Sequence, residues 1–347
     1  MRRISTPASV FTVETVTVGE LDRQLVHCLG VDGRASFSQV AQVLGVSDQT
    51  VARRYRRMRS TGLLRVVGLN MVRKAGSLGW FLRMRCVPGS GEAIAAALAR
   101  RTDTAWIQLL SGDTEVLCSI RSVAREESDS LLAKLPRSSR IVAVTAHSRL
   151  HQFVGGPDGL GFLEVLPAEQ VEPLRQPSRG GDVELGELDF AIFDALAVDG
   201  RTPYADLAAA TGWSESTVRR RVDQLRDCGA LYFDLELDTR AFGFGSSTWL
   251  WMSVAPSHLA ATGAALAKLP EVAYAAAVTG SANLAACVVC RDETAFYAFL
   301  TEKIGSLPGV ERVESSPVIR TVKQASTVMV PGHFSSERAG ATAAGRP

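Results

Sequence analysis

The chain has 347 residues, of which 46% are hydrophobic and 21% are charged, and its formal net charge is +2. These proportions exclude a chain that is disordered throughout, and the length favours two or more domains. Because 38 Lys and Arg nearly balance 36 Asp and Glu, total charge gives no argument for a nucleic-acid partner, and such an argument must come from local charge.

The first residues lack the apolar segment of a signal peptide. No run of about 18 apolar residues free of charges and turn residues occurs, so a membrane span is not expected. Six cysteines are scattered along the sequence, as is typical of a reducing compartment. We therefore expect a cytoplasmic protein without membrane contact.

The sequence repeats itself at an offset of 167 residues. Between 19–62 and 186–229, 18 of 44 positions are identical without a gap, and the similarity weakens afterwards. A fixed internal period comes from repetition of one structural unit. The chain is therefore predicted to be a tandem duplication, with copies over about 19–154 and 186–328.

Each copy begins with three predicted helices. Apolar residues at 21, 25 and 29, and again at 188, 192 and 196, form stripes that end at an Asp-Gly-Arg sequence. The second helices, 38–44 and 204–211, end at Gly45 and Gly212, as helices often do. Ser47 and Ser214 are suited to cap the third helices, which run to about 59 and 226.

A helix, a short glycine-containing turn and a capped helix form the layout of a helix-turn-helix motif. The third helix of that motif enters the DNA major groove. An arginine-rich face on a lone helix is usually only solvated, but here it occurs twice after a turn of the right length. The predicted DNA-binding residues are Ser47, Gln49, Thr50, Arg53, Arg54, Arg57, Ser214, Ser216, Thr217, Arg220 and Arg221.

The two helix-turn-helix segments differ in charge. Residues 20–62 hold seven Arg against four acidic residues, a net of +3, and residues 187–229 hold five Arg against eight acidic residues, a net of −3. Neutralisation of phosphates supplies much of the affinity for DNA. We therefore expect the first segment to dominate DNA binding.

The remainder of each copy is predicted to follow the order βαββαβ of a ferredoxin-like unit. The strands are expected at 80–87, 105–110, 116–121 and 140–149 and at 248–255, 272–278, 284–290 and 310–322; the helices are expected at 91–101 and 125–135 and at 259–269 and 293–304. The predicted class is α+β, with two winged-helix-type helix-turn-helix domains and two ferredoxin-like βαββαβ domains.

Glycine and proline residues mark the segment between the copies as a linker. The expected domains are helix-turn-helix units at 19–68 and 186–240 and ferredoxin-like units at 76–154 and 245–328. The linker covers 155–185, where 162–166 has the composition of a short strand, and a disordered tail is expected at 331–347.

These motifs resemble those of the Lrp/AsnC (feast/famine) family of transcription regulators. The matching features are the Leu-Asp opening of the first helix, the Asp-Gly-Arg turn, Gly-x-Ser-x-x-Thr-Val-x-x-Arg at 45–54 and 212–221, and the glycine-plus-apolar exit at 62–64 and 229–231. The resemblance covers nearly the whole chain twice. It implies a sequence-specific DNA-binding regulator whose ferredoxin-like units sense an effector, an amino acid or another small metabolite, with no cofactor or metal.

The family's loop between the second and third strands reads about Thr-Gly-x-x-Asp, and it implies an effector site here. A carboxylate in this loop suits a ligand ammonium group. The Asp position holds Glu115 in one copy and Asn283 in the other, so the two sites should differ; alternatively, the loop is only a tight turn that needs glycine. The expected effector-binding residues are Gly112, Asp113, Thr114, Glu115, Gly280, Ser281, Ala282 and Asn283.

Family members usually combine two helix-turn-helix units by dimerising, so the duplication implies an internal pseudo-dimer, open to further homo-oligomerisation. The third helices carry Asp-Gln-Thr at 48–50 and Glu-Ser-Thr at 215–217 and should read different bases. The expected partner is double-stranded DNA with an imperfect palindrome.

Two alternatives compete with a regulator. Siroheme decarboxylases are similar in architecture but rely on a histidine-containing motif near the second strand, and neither 107–117 nor 276–286 contains histidine. His147 and His151 are expected to share a face of one strand in structural or surface positions, so we expect no enzyme. The other alternative, a ligand-binding scaffold that has lost DNA binding, is disfavoured by the arginine pairs kept in both third helices.

Overall fold

The structure is a computed structural model that describes residues 18–70, 79–101, 103–120, 139–176, 180–181, 183–325, 327–330 and 333–338. It confirms the α+β class, with helix-turn-helix units and ferredoxin-like sheets in each copy. The helix predicted at 125–135 lies outside the described residues. No described helix is both long and apolar enough to cross a membrane.

The first copy opens with α1 (Glu20–Val31), α2 (Phe37–Leu44) and α3 (Asp48–Ser60), followed by strand β1 (Leu64–Asn70). Gly45 ends α2 in the left-handed region at φ 65°, and the Ser47 side chain accepts a hydrogen bond from the backbone N–H of Thr50, as the sequence predicts. The apolar face of α3 is buried, so its arginines point mainly toward solvent.

The first sheet unit comprises β2 (Trp80–Cys86), α4 (Gly91–Ala99), β3 (Thr104–Leu110), β4 (Glu115–Ile120) and β5 (Ile141–Val154). All pairings are antiparallel, and the strand order is β3-β4-β2-β5. Alternating apolar residues on these strands bury one face under α4 and the other against the second copy.

The segment between the copies packs against the helix-turn-helix units. Two 3-10 segments, Gly156–Leu163 and Glu172–Leu174, flank the single turn α5 (Ala168–Val171). Leu163, Val171 and Leu174 are buried in the core that both helix-turn-helix units share. The strand expected at 162–166 is wrong, because the preceding proline and glycines favour tight turns that continue to Leu163.

The second copy repeats the order of the first. Its elements are α6 (Glu187–Val198), α7 (Tyr204–Thr211), α8 (Glu215–Asp227), β6 (Leu231–Leu237), β7 (Ser246–Val254), α9 (Leu259–Leu266), β8 (Val272–Val278), β9 (Leu284–Cys290), α10 (Glu293–Ala298) and β10 (Val310–Lys323). Gly212 and Ser214 end α7 and cap α8 as their counterparts do in the first copy.

The last strand of each copy is 14 residues long and crosses from its own sheet to the other. The first part of β5 pairs with β2, and its second part, from Arg149 onward, pairs with β8. Likewise β10 pairs first with β7 and then, from Val318 onward, with β3. Each copy thus covers an edge strand of the other, since β5 covers β8 and β10 covers β3.

The helix-turn-helix units are joined by a two-stranded antiparallel ribbon of β1 and β6, in which Leu64 lies opposite Leu237. The sequence prediction did not include this pairing. Gly33 packs closely against the ribbon, because a Cβ at this position would lie 2.8 Å from side-chain atoms of Phe233 and Val66. A larger residue in the Asp-Gly-Arg turn would therefore push the two units apart.

The two Asp-Gly-Arg turns exchange hydrogen bonds across the pseudo-twofold axis. Arg34 donates to the carbonyl oxygens of Gly200 (2.8 Å) and Thr202 (3.1 Å). Arg201 donates to those of Gly33 (2.6 Å) and Ala35 (2.9 Å). Each arginine therefore satisfies two backbone acceptors of the opposite unit, as buried carbonyls require.

Past β10 the chain forms a hairpin of β11 (Thr327–Val330) and β12 (His333–Arg338). The tail expected to be disordered from 331 onward therefore contains a strand at 333–338. β11 extends the sheet by pairing with β10, and the other edge of β11 pairs with β12. Composition does not reveal this strand, because its formation depends on the partner strand that the edge of the sheet provides.

The exchange of hydrogen bonds at the turns should be a large source of stability. We expect Arg34→Ala to lower the free energy of unfolding by about 2–4 kcal/mol, because two carbonyl oxygens lose their donors. Urea denaturation monitored by tryptophan fluorescence measures the loss. Arg53→Ala, at an exposed position, serves as the control and should change stability by less than about 0.5 kcal/mol. Equal losses in the two variants would contradict this account.

Candidate nucleic-acid interface and effector loops

The polar residues predicted to meet DNA lie in the first turns of α3 and α8. Ser47 and Ser214 are exposed, but their hydroxyls already accept the N–H of Thr50 and Thr217 as helix caps. Gln49 is exposed beside them on α3. Ser216 is exposed on α8, with its hydroxyl 3.0 Å from that of Ser214. Helix N-termini of this kind present both side chains and backbone N–H groups to a phosphate or a base edge.

The predicted arginines fall into two groups. Arg53 and Arg220 occupy equivalent positions on α3 and α8, and both are exposed. Neither makes a hydrogen bond or an ion pair within the described residues. These two guanidinium groups are therefore free to neutralise phosphates or to contact guanine.

Arg54, Arg57 and Arg221 instead bind carboxylates inside their own units. Asp22, 1% exposed, accepts from Arg54 at 2.9 Å and from Arg57 at 2.6 Å. Asp189 is held by Arg221 through two hydrogen bonds of 2.6 and 2.7 Å. The sequence hypothesis treated all three arginines as DNA ligands and missed these partners, because Arg54 and Arg221 each lie 32 residues from the aspartate they bind.

This ion pair explains two parts of the repeated sequence at once. The aspartate of the Leu-Asp opening and the final arginine of the Gly-x-Ser-x-x-Thr-Val-x-x-Arg motif are partners in both copies. Burial acts to raise the pKa of Asp189, but hydrogen bonds from Arg221 and from the backbone of Gly186 outweigh it and hold the pKa below its usual value. The pair fixes α1 against α3, and α6 against α8.

The third helix of each helix-turn-helix unit, α3 or α8, is called its recognition helix below. Each recognition helix is also bound to the opposite copy. Arg59, near the end of α3, pairs with Asp199 at 2.7 Å. Arg226, at the equivalent position of α8, pairs with Asp32 at 2.8 Å. Both aspartates begin Asp-Gly-Arg turns, so each recognition helix is bound to the turn of the opposite unit. The spacing of the two helices is thereby set within one chain.

The carboxylate expected to meet an effector in the first loop has an internal partner. Glu115 is 5% exposed and accepts from Arg83 Nε at 2.6 Å and from the Ser316 hydroxyl at 3.0 Å. Arg83 also binds Glu314 at 2.6 Å and stacks 4.4 Å from the ring centroid of Trp251. The expectation that Glu115 faces a ligand ammonium group therefore does not fit this arrangement, in which its charge is already balanced.

The remainder of the first loop is shaped as a turn. Gly112 has a φ of 70°, and its neighbours Ser111 and Asp113 are left-handed as well, at 52° and 68°. The Thr114 hydroxyl donates to the carbonyl of Ser111 at 2.7 Å. These contacts favour the alternative in which the loop needs glycine for its backbone conformation.

The second loop is tied to the neighbouring strand β7. The side-chain amide of Asn283 accepts from the N–H of Val254 at 2.9 Å and donates to its carbonyl at 2.8 Å. The carbonyl of Ser281 accepts from the Ser253 hydroxyl, and Ala282 follows on the partly exposed turn. Gly280 has a φ of 111°, and a Cβ there would lie 3.0 Å from the ring of a buried histidine.

That histidine is His147, which is 3% exposed, contrary to the expectation that it shares a face with His151. Its Nδ1 lies 2.6 Å from the carbonyl oxygen of Thr279, and its ring stacks on Trp251 at 5.1 Å. His151 is exposed. The register of β5 against β8 shifts between Arg149 and His151, and such an irregularity reverses the alternation of faces.

Comparisons with known proteins agree with the resemblance in the sequence. The AsnC-type helix-turn-helix domain matches residues 20–59 and 185–226, and the Lrp/AsnC ligand binding domain matches residues 249–328. The HTH-type transcriptional regulator FL11 of Pyrococcus horikoshii is 28% identical over 149 residues, which are 43% of this chain and 98% of that protein. The Bkd operon transcriptional regulator of Pseudomonas aeruginosa is 31% identical over 144 residues, which are 40% of this chain and 94% of that protein.

A solved structure extends the likeness to both copies. The crystal structure of the siroheme decarboxylase NirDL superposes with a TM-score of 0.59, covers 88% of this chain and 93% of that chain, and is 13% identical. At this identity the likeness shows the fold alone.

The ion pair of Arg221 should be seen in stability and its pH dependence. We expect Arg221→Ala to lower the free energy of unfolding by about 2 kcal/mol at pH 7, because Asp189 loses its partner. The pKa of Asp189 is lowered in the folded state, so the pair stabilises above the ordinary value of 3.8 and its contribution is lost as pH falls through the folded-state pKa. The destabilisation caused by Arg221→Ala should therefore be smaller at pH 3 than at pH 7.

Urea denaturation at both pH values measures this difference. Arg220→Ala, one residue away and exposed, is the matched control and should unfold like the unaltered protein at either pH. A loss in Arg221→Ala that is the same at pH 7 and pH 3 would exclude the ion pair as its source.

Proposed function

The chain belongs to the Lrp/AsnC family of transcription regulators, and we propose that it reads both halves of an operator as a single chain. The family's dimer is replaced by two copies that share one core. In this proposal α3 and α8 enter successive major grooves, and the paired sheets sense a small-molecule effector. Chains of this kind can also assemble further through their outer faces.

The observation that carries the proposal is the equivalent placement of Arg53 and Arg220. Both are exposed and without an internal partner in the described part of the chain, and each lies in the middle of its capped helix. The cross-copy pairs of Arg59 and Arg226 support a fixed spacing between these helices. Fixed spacing is what recognition of two half-sites on one face of DNA requires.

The two helix-turn-helix units should contribute unequally. Next to Arg220 in the second unit, Arg219 pairs with Glu215 at 2.8 Å and lies 4.8 Å from the ring of Tyr204. The first recognition helix has Asp48 as its acidic residue, at its first position, and its other arginines continue along α3. We propose that the first unit supplies most of the affinity and that the second unit supplies discrimination between sites.

We propose a regulator rather than an enzyme. The relatives that match this chain along most of their own length are named as transcriptional regulators. The architecture shared with the siroheme decarboxylase NirDL keeps an enzyme as the alternative. His147, the buried histidine of the sheet core, is held by Thr279 and Trp251, and this fits a packing role better than a catalytic one.

Neutralising the free arginine of each helix tests the unequal roles. We expect Arg53→Ala to weaken operator binding roughly tenfold or more, and Arg220→Ala to weaken it less, because affinity follows the number of neutralised phosphates. Fluorescence anisotropy with a DNA fragment selected by the unaltered chain measures both. The slope of log affinity against log salt should become shallower by about 0.9 for each phosphate that the variant no longer neutralises.

Arg312→Ala, on an exposed part of β10, is the control and should leave affinity unchanged. A larger effect of Arg220→Ala than of Arg53→Ala would overturn the assignment of roles. Failure of the unaltered chain to retain any genomic fragment would instead favour a scaffold that does not bind DNA.

The proposal also concerns the shape of the operator. Because the N-terminal turns of α3 and α8 carry different side chains at 48–50 and 215–217, the two half-sites should differ in sequence. Hydroxyl-radical footprinting on a selected operator should show stronger protection of one half-site. A strict palindrome with equal protection of both halves would contradict the proposed inequality.

A further inference from the structure

A large cavity lies where the helix-turn-helix units, the linker and the sheets meet. Its volume is ≈ 1570 Å³, which exceeds what most drug-sized ligands fill. Residues of β1 and β6 line it from the helix-turn-helix side, linker residues such as Gly155 line it from the flank, and residues of both sheets form its floor. It is separate from the loops at 112–115 and 280–283.

The floor of the cavity is aromatic. Phe81 of the first copy contacts Trp249 and Tyr274 of the second, with ring centroids 5.2 and 5.6 Å apart, and all three line the cavity. Trp249 is held in place by a 2.7 Å hydrogen bond from its indole N–H to Gln108. Rigid rings of this kind offer flat apolar surface at little cost in side-chain entropy.

Two hydrogen-bond donors at this floor, Arg149 and Tyr274, interact with each other but have no well-formed hydrogen bond. The Nε of Arg149 and the hydroxyl of Tyr274 are both buried without a hydrogen-bond partner. The guanidinium of Arg149 lies over the Phe81 ring, 5.2 Å from its centroid. Burial raises the pKa of the Tyr274 hydroxyl, and the charge of Arg149 and its side-chain interaction with the hydroxyl offset only part of that rise, so the hydroxyl remains protonated at neutral pH.

Other arginines that line the cavity already have partners. Arg226 is paired with Asp32 at 2.8 Å. Arg320, which also lines the cavity, is paired with Glu92 at 2.8 Å. The Nε of Arg320 is also buried without a partner, but its guanidinium is neutralised by Glu92. Arg149 has no ion pair within the described residues, so Arg149 and Tyr274 are the donors that an anionic ligand would complete, since unpartnered buried polar groups are costly to a fold.

We propose that this cavity is the effector site and that it binds an amphipathic organic anion. The carboxylate or similar acidic group of the ligand is held by Arg149 and Tyr274. A flat apolar body lies against Phe81 and Trp249. Such a division, with a few polar groups fixing orientation inside an apolar cavity, is typical of small-molecule sites.

The assignment of the cavity as an effector site rests on the proposed function, whereas the binding of a ligand in the cavity can be measured without DNA. A ligand here would contact both copies, and it would contact the helix-turn-helix units as well as the sheets. Tyr232 and Asp234 of the ribbon strand β6 line the cavity opposite the sheets. Binding therefore has a direct contact through which to change the position of the helix-turn-helix units.

Two fluorescent probes that differ in one charge test the assignment. 1-Anilinonaphthalene-8-sulfonate has an aromatic body and an anionic group, and N-phenyl-1-naphthylamine has the same body without charge. In titrations of the full chain we expect Arg149→Gln to raise the Kd of the anionic probe roughly tenfold or more, since charge-assisted hydrogen bonds are removed. The Kd of the neutral probe should change by less than about twofold.

Arg312→Gln, which removes an exposed arginine outside the cavity, is the matched control and should leave both probes unaffected. Tyr274→Phe keeps the ring and should weaken the anionic probe several-fold, which provides a second test if Arg149→Gln unfolds. Unchanged affinity of the anionic probe in both cavity variants, or an equal loss in Arg312→Gln, would overturn the assignment.

The DNA experiment separates this inference from the proposed function. Without ligand, Arg149→Gln should bind a selected operator as the unaltered chain does. The anionic probe should change the operator affinity of the unaltered chain at least threefold and leave that of Arg149→Gln unchanged. An equal response of both proteins would reject the cavity as the effector site while leaving DNA binding intact.

Discussion

Two arginines that each bind the backbone of the opposite helix-turn-helix unit hold the recognition helices in one arrangement. Burial lowers the pKa of both Arg34 and Arg201, a sign of the cost of taking each charge out of water. Carbonyl acceptors and aromatic faces offset that cost: Arg34 lies 4.6 Å from the ring of Tyr204, and Arg201 lies 4.6 Å from that of Phe37. The ribbon of β1 and β6 and the ion pairs at the ends of α3 and α8 contact the same two Asp-Gly-Arg turns.

The two sheets also exchange contacts in both directions, but less symmetrically than the helix-turn-helix units do. Both long strands cross to the other copy, yet the interior between the sheets differs on its two sides. Arg83 and Glu115 form an ion pair in one copy, where the other has Trp251 and Asn283 at the equivalent positions. The copies differ in the loops and the sheet interior, where a ligand would be recognised. They are alike in the Asp-Gly-Arg turns, where the two halves pack against each other.

Local patterns in the sequence were enough to predict the described helices, their caps and the sequence of helices and strands along the chain, because each depends on neighbours within a few residues. The 167-residue repeat then placed these elements twice. What the sequence did not disclose were contacts between distant positions. Asp22 and Arg54 were recognised as motif residues, but their ion pair needs the packed helices, and the pairing of β1 with β6 needs both copies in place. His147 and His151 do not share a face, because the register of β5 shifts between Arg149 and His151.

The exchange of β5 and β10 between the sheets has a consequence for how the protein responds to its own abundance. A regulator assembled from separate subunits loses its paired form on dilution, because association depends on concentration. Here the second half is present at the effective concentration set by the covalent connection, which for short linkers is on the order of millimolar. Occupancy of an operator should therefore follow the first power of the number of chains in the cell, even when only a few copies are made.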